Sequence, residues 1–100
     1  MQCEMKFFTN TPINVVRLWI DRNDDGHLSR HEEIPMLPTS AGTWQGQILA
    51  DDKGKLFVCR FTCLQNTQWQ FKISGDTGES YDSGPCMMTQ TQEQLVGRVP

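Results

Sequence analysis

The sequence predicts an all-β fold: an antiparallel sandwich of about seven strands, formed by a single domain over residues 1–100. Three observations lead there. Lys55 to Cys63 and Gln68 to Ser74 alternate inward and outward side chains with a period of two, as a strand with one buried face does. Clusters of Gly, Asp and Asn punctuate the chain at short, regular intervals. Ile13 to Ile20 is dense in β-branched and aromatic residues, which suit a pleated surface better than a helix.

Taken in order, Ile13 to Ile20 is the first long strand, with Val16, Leu18 and Ile20 on a wholly apolar face. Val15, Arg17 and Trp19 make the other, mixed face, so Trp19 is expected to be the exposed aromatic. Glu33-Ile34-Pro35-Met36-Leu37-Pro38 reads as a short turn or edge strand, because Pro35 inside a helix would cost about 3 kcal/mol. Gly42 to Leu49 places Trp44 and Ile48 on one side. Ala50-Asp51-Asp52-Lys53-Gly54 is turn chemistry before Lys55 to Cys63, where Phe57, Cys59, Phe61 and Cys63 share a face. Gln65-Asn66-Thr67 turns into Gln68 to Ser74, with Trp69, Phe71 and Ile73 inward. Gly75-Asp76-Thr77-Gly78 is another turn, and Tyr81 to Met88 is broken by Ser83-Gly84-Pro85. Gln94 to Val99 suits an edge strand, with one helical turn over Thr91 to Val96 as the alternative.

The most specific chemistry lies in Asp21 to Glu32, Asp-Arg-Asn-Asp-Asp-Gly-His-Leu-Ser-Arg-His-Glu. Asp21, Asn23 and Asp25 stand at alternate positions, where side chains turn inward and offer oxygens to one point. Gly26 permits a sharp reversal, and His27 needs to supply only its carbonyl. Ser29 can hold a water, and Glu32 can clamp with both oxygens; Glu33 takes that role if the register slips by one. The segment resembles the twelve-residue loop of the EF-hand family, and the resemblance implies Ca2+ as the ion. The flanks do not supply the two helices of that family, so the expected setting is strand, loop, then turn.

A broader resemblance covers roughly residues 13 to 75. The order V-x-L-W-I-D-x-N-x-D-G, E-E-I, G-x-W-x-G-x-I, G-K-L-F-V-C-R-F and W-Q-F-K-I is similar to immunoglobulin-like sandwich modules of the early-set group. In several extracellular bacterial modules of that architecture, a strand runs into an acidic, ion-binding loop. The group is common beside carbohydrate-active domains.

Composition excludes several classes. A net charge of -3 leaves no footprint for nucleic acid, and no apolar run approaches the roughly 20 residues of a membrane span. Met1 to Phe8 lacks the apolar segment of a secretory signal; an extracellular or periplasmic location is expected if a signal has been removed, a cytoplasmic one otherwise. Cys59 and Cys63 lie about 13 Å apart along one strand, too far to bridge each other. Cys3, Cys59, Cys63 and Cys86 are expected as free thiols, with a pairing of Cys86 left open. His27 and His31 have a helical zinc spacing, but Glu32 is misplaced for a general base and Pro35 stops a helix. No nucleophile with a base and no phosphate loop is visible.

The expected function is that of a non-catalytic, Ca2+-binding module with a structural or protein-interaction role. Asp21, Asn23, Asp25 and Glu32 give side-chain oxygens, His27 a carbonyl and Ser29 a water-mediated contact. The alternatives are a carbohydrate-binding accessory module using Trp19 or Tyr81, and a helical EF-hand fragment. The partner is a protein or a glycan, and the oligomeric state is open.

Overall fold

Period-two alternation is realised most fully in the middle of the chain, where every inward residue of Gln68–Ser74 is buried and every outward one is exposed or partly exposed. The computed structural model describes residues 1–8, 15–40, 42–75 and 77–100. Ile13 and Asn14 of the first expected strand, and Asp76 of the expected turn, lie outside the described residues. The strands are β1 (Gln2–Phe7), β2 (Val15–Ile20), β3 (Glu33–Ile34), β4 (Leu37–Ser40), β5 (Thr43–Gln47), β6 (Leu56–Thr62), β7 (Gln68–Ser74), β8 (Ser80–Asp82), β9 (Cys86–Met87) and β10 (Gln92–Arg98). Short 3-10 turns occupy Arg30–Glu32 and Ala50–Asp52.

All pairings are antiparallel. One sheet has the order β4-β5-β1-β7-β8, with β9 also on β7; the other has β10-β6-β2-β3. The all-β sandwich is therefore as expected, with ten short strands in place of about seven. β1 and β2 fall in different sheets, unlike the first two strands of the antibody constant-type order. The chain then crosses between sheets after β3, β5, β6 and β9.

The two inner faces meet in one apolar cluster. Cys3, Met5, Phe7, Trp69, Phe71 and Ile73 of the first sheet bury against Val16, Leu18, Ile20, Phe57, Cys59 and Phe61 of the second. Rings interlock across the gap: Phe57 stacks on Phe71 with centroids 5.6 Å apart, and Phe61 meets Trp69 edge-on at 4.7 Å. Each such side chain contributes roughly 1.5–3 kcal/mol by leaving water. All four cysteines are free thiols, and Cys3, Cys59 and Cys63 are buried in this core.

One strand is new and three expectations are corrected. Gln2–Phe7, read only for targeting, is a strand between β5 and β7. Thr91 to Val96 is not a helical turn, since β10 pairs with β6 in unbroken register. No helix beyond the two 3-10 turns flanks the acidic loop among the described residues, so the helical EF-hand alternative fails. Trp19 is not exposed: it is 7% accessible, because the guanidiniums of Arg17 and Arg60 lie over its ring at 4.7 and 5.0 Å. No helix among the described residues is long and apolar enough to cross a membrane.

β7 shows how the sheet edge absorbs Ser83-Gly84-Pro85. Its lower half pairs with β8 and its upper half with β9, one residue out of register. Ser83 closes the gap by accepting the Phe71 N–H on its hydroxyl at 2.8 Å and donating its own N–H to the Phe71 carbonyl at 2.9 Å. Pro85, with no N–H to offer, sits in this bulge where none is needed.

Candidate metal centre

The loop begins where β2 leaves its sheet. The Asp21 N–H still donates to the Leu56 carbonyl at 2.9 Å, which pins this carboxylate at the sandwich end with 2% accessibility. The chain then reverses through Asp24 at φ 60° and Gly26 at φ 79°, both in the left-handed region. That reversal aims successive N–H groups back at the acidic side chains. Gly26 donates to Asp21 Oδ2 at 2.9 Å, Asp25 to Asp21 Oδ1 at 3.3 Å, and His27 to Asp25 Oδ1 at 2.9 Å.

Glu32 arrives from the far end of the loop. The 3-10 turn Arg30–Glu32 points its carboxylate inward, where Ser29 donates to Oε1 from its N–H at 2.9 Å and its hydroxyl at 3.0 Å. Oε2 accepts the Arg22 N–H at 2.7 Å. One side chain therefore ties the second loop position to the ninth and twelfth. These donors, the Ser29 N–H foremost, hold the Glu32 carboxyl below its ordinary range. The His27 N–H does the same for Asp25.

Asp21, Asp25 and Glu32 each present a ligand oxygen within 4.8 Å of the others, a grouping able to hold a metal ion. Three carboxylates this close repel one another, and two neighbouring cations pair with other acids, Arg22 with Asp52 and Lys55 with Asp24. A purely oxygen donor set suits a hard cation. Neither histidine joins this grouping, the only one of three or more His, Cys, Asp or Glu among the described residues.

The remaining expected ligands stand beside the cluster. Asn23 donates its amide to Asp25 Oδ2 at 3.1 Å and accepts the Asp25 N–H at 3.4 Å. Ser29 turns its hydroxyl to Glu32, and His27 contributes its N–H to Asp25. Glu33 is directed elsewhere, forming two hydrogen bonds with Arg17 at 3.1 and 2.8 Å on the opposite side of the strand. Tyr81 is half-buried against the rings of Phe57 and Phe71, at 5.1 and 6.2 Å.

Sequence reading misses the anchor beneath the loop. Arg22 reaches out of the loop to Asp52, a buried residue of the Ala50–Asp52 turn whose carboxylate also accepts the Leu49 N–H at 2.9 Å. Asp52 lies inside an ordinary turn motif, and nothing in its spacing from Arg22 signals the pair.

No protein-family model matches the chain, and no curated protein or solved structure matches it.

Proposed function

We propose that this chain is a non-catalytic, Ca2+-binding β-sandwich module in which the ion fixes the Asp21–Glu32 loop at one end and presents it to a protein partner. One observation carries the reading: Asp21, Asp25 and Glu32, from opposite ends of a twelve-residue loop, converge within 4.8 Å around a reversal at Gly26. Asn23 completes the side-chain set, the His27 carbonyl fills the next position, and Ser29 holds a water. Calcium takes six to eight oxygens at about 2.3–2.6 Å, more than these carboxylates alone provide, so water completes the shell. With one loop and no flanking helices, affinity falls near ~10⁻⁴–10⁻³ M, the range of structural extracellular sites.

The ion works through linkage. At ten times the dissociation constant it adds roughly 1.4 kcal/mol to the folded state, or about 5–10 °C in Tm for a domain of this size. Melting curves in 10 mM calcium, in magnesium and in chelator test this. A calcium-specific rise that Glu32→Gln removes and Glu33→Gln leaves in place is the expected result. Identical curves in calcium and chelator would overturn the reading. The glycan alternative has little to stand on, since Trp19 is covered by two guanidiniums and Tyr81 is wedged against core rings.

A further inference from the structure

The outer face of the second sheet carries an arrangement that the acidic loop does not use. Arg17 and Arg60 lie directly opposite each other on β2 and β6, and Arg60 faces Gln94 on β10. Like charges directly opposed on a sheet repel. Here both guanidiniums lie over the ring of one indole, Trp19, at 4.7 and 5.0 Å. Arg17 is neutralised by Glu33. Arg60 is not neutralised: its Nε donates to the Gln94 side chain at 2.8 Å, and none of the ion pairs among the described residues includes it. The outer edge of its guanidinium is left to solvent on a face of a chain whose net charge is -3.

These residues border a groove of about 540 Å³, whose walls include Val15, Arg17, Arg60, Thr62, Gln92 and Gln94. That is the size of a site for a small ligand or a few residues of peptide. Glu93 also borders it, but belongs to the inward-facing set of β10 and is partly buried. The apolar groups flank the charge. Val15 stands one row before the arginine row and is 48% exposed; Val96 stands one row after it, on β10, and is 50% exposed. The diagonal between these rows is roughly 17 Å, the span of about five residues of extended chain.

We infer that this face binds an extended acidic peptide segment. A carboxylate takes the free edge of Arg60, and apolar side chains on either side of it cover Val15 and Val96. Arginine's planar fork suits a carboxylate geometrically, and Trp19 beneath holds it flat and ready. A peptide fits better than an acidic sugar because no bare aromatic face is left for a sugar ring to stack on.

The test uses the whole chain, dialysed free of divalent cations and without chelator, since a chelator is itself a polycarboxylate. The probe is an acetylated hexapeptide with leucine at each end and glutamate between. Nitrogen-proton NMR spectra follow the Trp19 indole N–H, assigned through Trp19→Phe. A saturable shift is expected, weakened at least tenfold by a glutamine-for-glutamate probe, by Arg60→Gln, and by raising salt from 50 to 500 mM. Arg60 is exposed, so Arg60→Gln leaves the fold intact; Arg60→Lys, charged but without the fork, falls between. The absence of saturation, or equal shifts with the glutamine probe, would overturn the inference. Saturation by a glucuronic-acid oligosaccharide but not by the peptide would overturn it in favour of an acidic glycan. Calcium plays no part, so the outcome is independent of the ion-binding reading.

Discussion

Arg22 and Asp52 hold each other through two hydrogen bonds, Nε to Oδ1 at 2.9 Å and Nη2 to Oδ2 at 3.1 Å. The pair joins the acidic loop to the Ala50–Asp52 turn, and Arg22 also donates its backbone N–H to Glu32. The loop is thus fastened from beneath by its second residue and from above by its twelfth. Asp52 is 2% accessible and the Arg22 side chain 35%, so one partner is dry and the other half-wet.

Removing the dry charge should therefore cost less than breaking a fully buried pair but more than a surface one. Asp52→Asn is expected to lower stability by about 2 kcal/mol, which is roughly 10 °C in Tm. Asparagine can still accept the Leu49 N–H, so the loss reports on the ion pair and not the turn. Urea titrations of the variant and of Arg22→Ala check this. A change below about 0.5 kcal/mol in both would show that the pair contributes nothing, as many exposed pairs do.

Acid should loosen the loop before the core. Glu32 and Asp25 have folded-state pKa values below their ordinary values of 4.5 and 3.8. A depressed carboxyl contributes stability that is present above its unfolded pKa and lost as pH falls through the folded one. Stability is thus expected to hold from pH 7 to about 5 and to decline below that. Glu32→Gln should be less stable than the parent at pH 7 and converge with it as pH falls through the lowered Glu32 pKa. Urea midpoints across that range decide it. Parallel curves for the two proteins would remove Glu32 from the account. Any calcium effect should fade over the same window, because the ion needs ionised ligands.

Local pattern carries the strands that meet at the core. In Gln68–Ser74 the alternation comes from large aromatic and aliphatic residues and burial follows it directly; in Leu56–Thr62 the inward Phe57, Cys59 and Phe61 are buried, and outward Val58 is buried as well. β1 alternates just as regularly, but its inward residues are Cys3, Met5 and Phe7, two of which carry little strand preference of their own. Parity alone places Trp19 outward, which is correct. Its burial comes from arginines folding over it, one of them on another strand, and periodicity holds no record of such a contact. The acidic loop is legible because each ligand position constrains a residue type. Arg22–Asp52 is not, because the partners lie 30 residues apart and both look like solvated loop charges.

Gly97 tests the closure of the sandwich beside β10. A Cβ there would lie 2.6 and 2.8 Å from two ring atoms of Phe57 and 3.2 Å from Tyr81. Neither ring can retreat freely, since Phe57 stacks on Phe71 and Tyr81 wedges against both. Gly97→Ala is expected to cost about 1–3 kcal/mol by overpacking, despite alanine's better strand behaviour. Phe57→Leu removes the obstructing ring edge and should make the second change cheaper. A double-mutant cycle by urea denaturation measures that coupling; strict additivity would mean that the ring is not what Gly97 makes room for.

The four thiols should differ sharply in reactivity. Burial pushes the Cys3 thiol up to about 11 and raises Cys59 further, and both side chains are fully inaccessible. Cys63 is raised for the same reason. Thiolate, not thiol, is the nucleophile, so these three are shielded twice, by access and by protonation. Cys86 is half-buried at the sheet edge, its thiol facing the Ser83 and Gly84 carbonyls at 3.7 and 3.5 Å. With a disulfide-exchange reagent at pH 8, one thiol is expected to react quickly in the native protein and all four in denaturant. Cys86→Ser should abolish the fast phase and leave stability within about 0.5 kcal/mol. A fast phase surviving that substitution would assign the reactive thiol to Cys3 or Cys63 and require β1 or the Cys63–Thr67 turn to open readily. Reaction of Cys59 at the same rate would contradict the packed inter-sheet core itself.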